Sequence, residues 1–526
     1  MKLHLIPYKN DPGFTLPSVL SFIVLAGVLS VTLLTVIQNN LFVANNNAQR
    51  QQAFNIAEAG INYYLWHLSH NPTDFKDGQA MPATPDPELG YGPYVHNYID
   101  DNARTTGTYT LWIKPQGNGS TIATVRSIGQ VKNTNTIRTV EAQLGVPSFA
   151  SYVVNSDTAL WFGNTETADG PVHSNQGIRM DGASTTDVTS ANSTYVPSGQ
   201  LGGDGSSHTG VWCKSTVVTP IDCTTRNKSD WRYPVASIDF NQITSSLCSM
   251  KKSAFAADSS TANLATQANA CSQTPSTRTT SYIPQRASSY NAARGYLVQL
   301  NTDGTYDLYN VNGENDQNTP YTSALTLQSV ATNISIPSTG IIYVEDNVWI
   351  RTNPTFHGRV SIGAGRLATT NNARVVISDD VIYSAKDGSD VIGLIAEGDI
   401  LVAPYAPPVG GAFNFEINAA LISQSGKVEY PVRYRSNNSR CTRGWVNSNQ
   451  TFDFYGSVST RLGWTWTWLL GGSCGDAVNN AGQGYITGIL NNNTKYDYNL
   501  LYSPPPSFPL TSTYNILSWR EVLTTP

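Results

Sequence analysis

Charged residues are scarce in this chain. Asp, Glu, Lys and Arg make up 13% of its 526 residues, against about 25% in ordinary soluble domains. The net charge of -5 and the isoelectric point near 5.8 give no overall attraction to nucleic acid or to an acidic membrane surface. Asn, Ser, Thr and Gly are abundant instead, as in many extracellular β-rich proteins. Any basic binding site must therefore be local.

The motifs of common catalytic centres are also missing. The sequence has no HExxH, no Walker loop, no serine nucleophile elbow and no GxGxxG after a strand. A glycoside hydrolase needs two convergent carboxylates, and the densest acidic group consists of Asp379, Asp380, Glu397 and Asp399. Each of these acids stands where a turn residue is expected. We predict no enzyme, no cofactor and no metal site, and keep a glycan-active enzyme as an alternative.

Cysteine does not occur before residue 213. The chain has six cysteines, Cys213, Cys223, Cys248, Cys271, Cys441 and Cys474. None forms a CxxC, and no cysteine and histidine have the spacing of zinc ligands. In an exported protein they are expected to form disulfides. We predict that sequence neighbours pair, namely Cys213 with Cys223, Cys248 with Cys271, and Cys441 with Cys474; free buried thiols are the alternative.

One stretch lacks charge altogether. Between Phe14 and Ile37 there is no Asp, Glu, Lys or Arg, and a helix rising about 1.5 Å per residue over this length crosses a hydrocarbon core of about 30 Å. The residues before it carry Lys2 and Lys9 and end at Gly13. No small-residue cleavage site follows the apolar core, so the segment is not a secretory signal peptide. The stretch predicts a helix that spans a membrane once.

Gly13, Phe14 and the apolar stretch after them resemble the class III leader of type IV prepilins. The resemblance implies cleavage by prepilin peptidase after Gly13, methylation of the new N-terminal Phe14, and other pilins as partners. The fifth mature residue is Glu in most pilins but Ser18 here. That difference implies a minor pilin at the tip of a pilus. A plain single-pass anchor and an uncleaved signal are the alternatives.

The helix is expected to continue past the membrane. Apolar residues recur every four positions at Ala53, Ala57, Ile61 and Leu65 and predict a narrow stripe that packs on a sheet. The surrounding stretch AFNIAEAGINYYLWHL, which contains Glu58 and Gly60, resembles the helix of PilX-like minor pilins that packs against the pilin sheet.

The rest of the chain predicts a mainly β protein. Three β-branched stretches at 109–113, 121–126 and 137–142 alternate in twos, as in an antiparallel meander. From residue 151 onward, very short apolar pieces recur between Gly, Asn and Asp. Each is too small to bury its own face and needs neighbours stacked above and below, which is typical of a parallel β-solenoid. A β-sandwich or jelly-roll head is the alternative.

The predicted fold is thus a long N-terminal α-helix, a pilin-like antiparallel sheet and a β-solenoid-like head. We predict a leader at 1–13, a transmembrane and assembly helix at 14–70, the sheet at 71–150, the head at 151–182 and 331–526, and a projecting insertion with disulfides at 183–330. Residues 496–521, with prolines at 504–506, predict an extended strap that packs back on the body.

One local feature predicts ligand binding. The predicted patch consists of Arg433, Tyr434, Arg435, Arg440, Arg443 and Trp445, held by a bridge from Cys441 to Cys474 near Trp464, Trp466 and Trp468. Alternate residues of a strand face the same side. If exposed, the rings would stack on a glycan or, with the arginines, on single-stranded DNA; if buried, they are core.

Together these features predict a minor pilin with a large extracellular head for adhesion or for priming pilus assembly. It would be held in the inner membrane before assembly and lie on the cell surface afterwards. A DNA-uptake tip protein is the alternative binding function.

Overall fold

The structure divides into two units. The computed structural model describes residues 15–526 except 73, 80–83, 118–119, 165, 216–221, 287–289, 315–323, 404, 406–412, 432–449, 471–477, 481–483, 490, 512–513 and 523–526. The first unit comprises Met1–Lys114, Ala123–Leu144 and Ile516–Pro526, and the second, called the head below, comprises Pro115–Ile122 and Gly145–Asn515.

The first unit starts with one long helix and continues into a sheet. The elements are α1 (Thr15–His70), β1 (Tyr91–Ile99), β2 (Thr105–Pro115), β3 (Ile122–Val131) and β4 (Ile137–Gly145). The four strands lie side by side in chain order, and β1 and β2 are antiparallel, with Val95 opposite Thr110. The loops from β2 to β3 and from β3 to β4 are too short for a parallel crossover. The sheet is therefore the predicted antiparallel meander.

The head contains many short strands. Its first part holds β5 (Val154–Ser156), β6 (Leu160–Phe162), β7 (Thr167–Ala168), β8 (Val172–Ser174), β9 (Ile178–Met180), β10 (Ala183–Ser184), β11 (Val188–Ser190), β12 (Thr194–Tyr195), β13 (His208–Thr209), β14 (Val211–Trp212) and β15 (Trp231–Arg232), followed by α2 (Asn241–Ala256) and α3 (Ala262–Ala265). Its second part holds β16 (Tyr282–Ile283), β17 (Gly295–Asn301), β18 (Thr305–Glu314), β19 (Leu325–Ser335), β20 (Ile341–Val344), β21 (Val348–Asn353), β22 (Arg359–Ala364), β23 (Val375–Ile377), β24 (Val391–Ala396), β25 (Ile400–Val402), β26 (Phe413–Ser423), β27 (Val428–Glu429), β28 (Gln450–Thr460), β29 (Trp464–Thr465), β30 (Thr467–Leu470), β31 (Val478–Asn480), β32 (Gly484–Gly488) and β33 (Asn492–Tyr496).

From β20 onward, each coil of the chain adds one strand to each of two sheets. In an 11-stranded sheet, β20, β22, β24, β26 and β28 pair in that order; in an 8-stranded sheet, β21, β23, β25, β27 and β29 do the same. All of these pairs are parallel. Stacked parallel coils are the strand arrangement of a solenoid-like head, whereas a sandwich or jelly roll is built from antiparallel strands.

The first coils of the head extend the same stack from the other end. Strand β5 pairs in parallel with β28, and β8, β11 and β15 follow in order. A ladder of aliphatic side chains runs through the registers of eight strands: Ile342, Ile362, Leu394, Leu421, Val458, Val154, Val172 and Val188. All eight are fully buried, so each coil buries its apolar residues against its neighbours.

Residues 183–330 differ from the predicted projecting insertion. They supply β11, β15 and β16 to the 11-stranded sheet and the β17–β18 hairpin, with β19, to the 8-stranded sheet. Helix α2 packs Ile243, Leu247 and Met250 on the outer face of the 11-stranded sheet. The segment is therefore part of the head, because that apolar face needs a cover.

Two disulfides join the predicted partners in this segment. Cys213 is bonded to Cys223, and Cys248 in α2 to Cys271. Cys441 and Cys474 lie outside the described residues, so the third pairing stays a prediction.

A proline strap covers another part of the same outer face. Pro504 and Pro505 are buried, and the Arg359 guanidinium donates to the carbonyl of Pro504 at 2.6 Å. A Cβ on Gly393 would lie 2.6 Å from Pro505 Cβ, so the missing side chain makes room for the strap. Only this part of the predicted strap packs on the head, because residues 515–522 form a strand of the first unit.

The last strand leaves the head. Strand β34 (Asn515–Val522) lies beside β4 in the sheet of the first unit. Arg520 Nε donates to Glu141 at 3.0 Å, and Ser518 to Gln143 at 3.1 Å, so residue numbers rise on one strand as they fall on the other. The pair is antiparallel, and the head is inserted between β4 and β34 instead of extending to residue 526.

Candidate functional site

The N-terminal half of α1 carries an apolar surface that nothing in the described chain covers. Every Leu, Val, Ile and Phe between Leu16 and Val43 is exposed, with Leu16 at 79% and Phe42 at 67% of their surface. By length and composition, this helix could cross a membrane. Ser18 is exposed on it, whereas Gly13 and Phe14 lie outside the described residues. So large an apolar surface marks a membrane or protein contact.

The few hydroxyl groups in this half need no water. Ser30 Oγ donates to the carbonyl of Ala26 at 2.7 Å, and Thr35 Oγ1 donates to that of Val31 at 2.8 Å. Bonds of this kind within a helix satisfy polar side chains in hydrocarbon. These hydroxyl groups are thus compatible with a lipid environment.

The C-terminal half of α1 packs on the sheet of the first unit. Its buried residues follow the 3.6-residue helical repeat and are Ala53, Ile56, Ala57, Gly60, Ile61, Tyr64, His67 and Leu68. Leu65 and Glu58 are only half-buried. The predicted stripe, which repeats every four residues, therefore matches the buried face at Ala53, Ala57 and Ile61 but leaves it at Leu65. Ile56, Tyr64 and Leu68 could have been found by applying the true helical period.

Helix and sheet approach closely because glycine stands at the contact. A Cβ on Gly60 would lie 2.2 Å from Ser127 Oγ, and a Cβ on Gly129 would lie 2.2 Å from the carbonyl oxygen of Ala53. Both distances are far below van der Waals contact. Gly60, Ala53 and Ala57 therefore hold α1 against the sheet.

A group of histidines and aspartates fixes the segment after α1. His67 Nε2 lies 3.0 Å from Asp74 Oδ2, His96 Nε2 lies 2.7 Å from Asp77 Oδ2, and Tyr63 donates to Asp77 at 2.9 Å. Burial opposes ionisation of Asp74, but the backbone N–H groups that it accepts outweigh burial and lower its pKa. His67 is buried and tethers the loop instead of facing solvent.

The predicted ligand patch lies largely outside the described residues, which include none of Arg433, Tyr434, Arg435, Arg440, Arg443 and Trp445. Trp464 and Trp466 belong to the core of the head, with Trp466 only 1% exposed. The indole of Trp468 is half-buried and donates to the carbonyl of Tyr430 at 2.8 Å. Strand β29 ends before Trp466 and β30 begins after it, so the three rings do not line one exposed face.

The acidic group accepts backbone hydrogen bonds. Asp380 accepts from the N–H of Glu416 at 2.8 Å, Glu397 from that of Arg366 at 2.6 Å, and Asp399 from that of Lys427 at 2.8 Å. Burial raises the pKa of Asp379 to about 6. These carboxylates bind turns of neighbouring coils together, and the described residues hold no group of three or more His, Cys, Asp or Glu side chains placed for a metal ion.

A small polar cavity lies at the β15 end of the stack. It has a volume of about 160 Å³ and is lined by Gly182, Ala183, Ser184, Thr225, Arg226, Asn227 and Trp231. Arg226 Nε donates to the carbonyl of Asp181 at 2.8 Å, which fixes the guanidinium. The buried Nε1 of Trp231 has no hydrogen-bond partner within the described ranges. No local sequence pattern predicts this cavity, because its residues come from separate coils.

Comparison with known proteins gives little. No protein-family model matches the chain, and no curated protein matches its sequence. Among solved structures, the crystal structure of the competence-associated pilin ComZ from Thermus thermophilus is similar, with a TM-score of 0.30 and 11% identity, over 90% of this chain and 98% of that one. So low a TM-score establishes by itself neither a common fold nor a common function.

Proposed function

We propose that the chain is a minor pilin, a subunit of a type IV pilus. The observation that carries the proposal is helix α1, which is continuous from Thr15 to His70, exposes apolar residues along its first half and packs on a sheet along its second. Lipid would cover the exposed half before assembly, and apolar helices of other pilins would cover it in the fibre. The resemblance of the leader to prepilins supports the same proposal.

The same features support a position at the tip of the pilus. The head, Gly145–Asn515, is far larger than the sheet into which it is inserted, and copies of it would crowd one another along a shaft. Ser18 also lacks the carboxylate found at this position in most pilins. The head would then be displayed outside the cell, for adhesion or for priming assembly.

The head favours a hydroxyl-rich ligand over DNA. The cavity beside Trp231 is lined by hydroxyl, amide and guanidinium groups, which are the groups that bind sugar hydroxyls. Its volume suits one sugar residue. The acidic group that an enzyme would need is engaged with backbone N–H groups.

Cleavage of the leader tests the proposal. We would produce the chain in membranes with and without a prepilin peptidase and determine its mass and N-terminal residue. The peptidase is expected to remove residues 1–13 and leave Phe14 first, and Gly13→Asp is expected to block removal. Gly117→Asp is the matched control, because a side chain there meets nothing within 4 Å. A chain left uncut by an active peptidase contradicts the proposal.

Ligand binding tests the role of the head separately. The detergent-solubilised chain would be measured against a glycan panel and single-stranded DNA at two salt concentrations. Glycan binding that is insensitive to salt and weakened by Trp231→Ala is expected, while Trp66→Ala, which changes an indole 57% exposed in the other unit, should have no effect. Binding to DNA that falls steeply with salt would favour the DNA-uptake alternative.

A further inference from the structure

A lysine and a glutamate are buried together beneath helix α2. Lys251 on α2 and Glu345, just after β20, are both 0% exposed, and Lys251 Nζ lies 2.6 Å from Glu345 Oε2. The helix brings the lysine to the sheet because Ile243, Leu247, Met250 and their neighbours pack there. Neither residue belongs to the surfaces described above.

The surroundings of this pair only partly supply hydrogen bonds, and the Glu397 carboxylate acts on both charges. Lys251 Nζ also donates to the carbonyl of Cys271 at 3.0 Å, and Tyr282 Oη donates to Glu345 Oε2 at 3.3 Å. The centroids of the Phe255 and Tyr343 rings lie 5.9 and 5.7 Å from Nζ. Glu345 Oε1 is buried and has no hydrogen-bond partner in the part of the chain that the structure describes.

An ion pair fits this site poorly. The attraction between two buried charges offsets their loss of hydration only when every remaining polar atom is hydrogen-bonded. Here one carboxylate oxygen has no such partner among the described residues. Burial raises the pKa of Glu345 to about 7 and lowers that of Lys251, although each charge favours the other. Burial therefore disfavours both charges, and transfer of one proton from Nζ to the carboxylate gives a neutral amine beside a neutral carboxylic acid.

We propose that Lys251 and Glu345 are joined by an intramolecular amide bond. The lone pair of the neutral Nζ attacks Cδ of the protonated Glu345, the bond between Cδ and the hydroxyl oxygen breaks, and that oxygen leaves as water with one proton from the amine. No oxidant, cofactor or second reactant is needed. Fixing the two groups in contact supplies the high effective concentration that such a condensation requires.

The amide would leave every polar atom of the site paired. Its single N–H has the carbonyl of Cys271 as acceptor, and its single oxygen has the Tyr282 hydroxyl as donor. The oxygen lost as water corresponds to the one that lacks a partner. The bond would tie α2 to the end of β20, next to the disulfide between Cys248 and Cys271, and would keep α2 on the sheet under mechanical load.

The mass of the intact chain tests the proposal directly, whatever the function of the protein. After reduction of its disulfides, the purified chain is expected to weigh less than its sequence by the mass of one water, and digestion should yield one branched peptide containing Lys251 and Glu345. Lys251→Met and Glu345→Met should each restore the lost mass. Lys252→Met, next to Lys251 on the same helix, should keep the deficit.

The chain offers an internal control. Lys386 Nζ lies 2.7 Å from Glu416 Oε1 at the surface, with 48% and 21% of the two side chains exposed, and hydration should keep that pair unlinked. A folded, disulfide-bonded chain whose mass shows no loss of water overturns the proposal. This mass measurement needs only the unaltered chain, so it remains decisive even if a variant fails to fold.

Discussion

Gly129→Ala should loosen helix α1 from its sheet. The added Cβ would lie 2.2 Å from the carbonyl oxygen of Ala53 and 2.5 Å from the amide nitrogen of Ala57. Both atoms belong to the backbone of α1, so no side-chain rotation relieves the clash and the helix itself must move. Overpacking of this kind costs about 1–3 kcal/mol, against about 0.5–1 kcal/mol that alanine gains over glycine within a strand.

Hydrogen exchange measures the effect where it occurs. In peptides covering residues 53–68, a net loss of about 1–2 kcal/mol should lower the protection of backbone amides by about 5- to 30-fold. Peptides from the head should not change, because Gly129 belongs to the first unit. Gly117→Ala serves as control, since a Cβ there meets no atom within 4 Å. Unchanged protection of residues 53–68 in Gly129→Ala would refute the close-packing argument.

Three further changes test the head. Trp466→Ala should lower its stability by about 3–5 kcal/mol, seen as a lower melting temperature, because the ring is 1% exposed; an unchanged melting temperature with lost ligand binding would instead place this ring in a binding surface. Burial raises the pKa of Asp379 from 3.8 to about 6, so the folded head binds more protons than the unfolded chain between those values and loses stability as pH rises through them. Asp379→Asn should therefore gain in melting temperature over the unaltered chain at pH above 6 but not below 3.8, and an equal difference at both would contradict the assigned pKa. Arg359→Met removes the donor to Pro504 and should speed proteolysis within residues 498–511, whereas Arg461→Met, whose guanidinium lies at a half-exposed ion pair with Asp157, should not.

Local patterns predicted the elements whose signals lie within one stretch of chain. The uncharged stretch from Phe14 to Ile37 and the apolar stripe that begins at Ala53 marked α1, which runs from Thr15 to His70. Alternating β-branched residues marked the meander. These features depend on backbone preferences and on one buried face, both of which repeat along the sequence.

The elements that were misplaced depend on distant partners. Residues 515–522 do not reveal that they pair with β4. Strands of two residues, such as β15 and β16, are too short to show any period, so residues 183–330 looked like an insertion. The stacking order has the same cause: β5 follows β28 in the sheet although it precedes it in the chain. Local sequence signals cannot specify which coil lies above which.

The candidate site could be predicted only in part, because some of its contacts join residues that are distant in the sequence. Ala53, Ala57 and Gly60 predicted a helix that packs on a sheet. The contact with Gly129 could not be predicted, because it depends on which strand faces the helix in the folded protein. The aromatic residues at 464–468 gave equal support to a surface and to a core, and only the ring contacts of Trp466 with Phe452 and Trp464, at centroid distances of 5.2 and 5.9 Å, place it inside. The sequence does not predict that Lys251 and Glu345 lie together, because their reactivity depends on burial in the folded head.

The insertion of the head has a consequence for the order of folding. The sheet that packs on α1 is complete only when β34 joins β4, and the whole head lies between these strands in the chain. Trp519 of β34 packs edge-on against Phe54 of α1, with ring centroids 5.6 Å apart. A growing chain can therefore form α1 and the first four strands early, but it gains this contact only after the head has been synthesised. Pairing β34 with β4 closes a long loop, and the entropic cost of closure grows slowly with loop length. A head that folds first brings its two ends together and so removes most of this cost. The stability of α1 on its sheet thus depends on a correctly folded head, and a chain with a misfolded head would lack the final strand of that sheet.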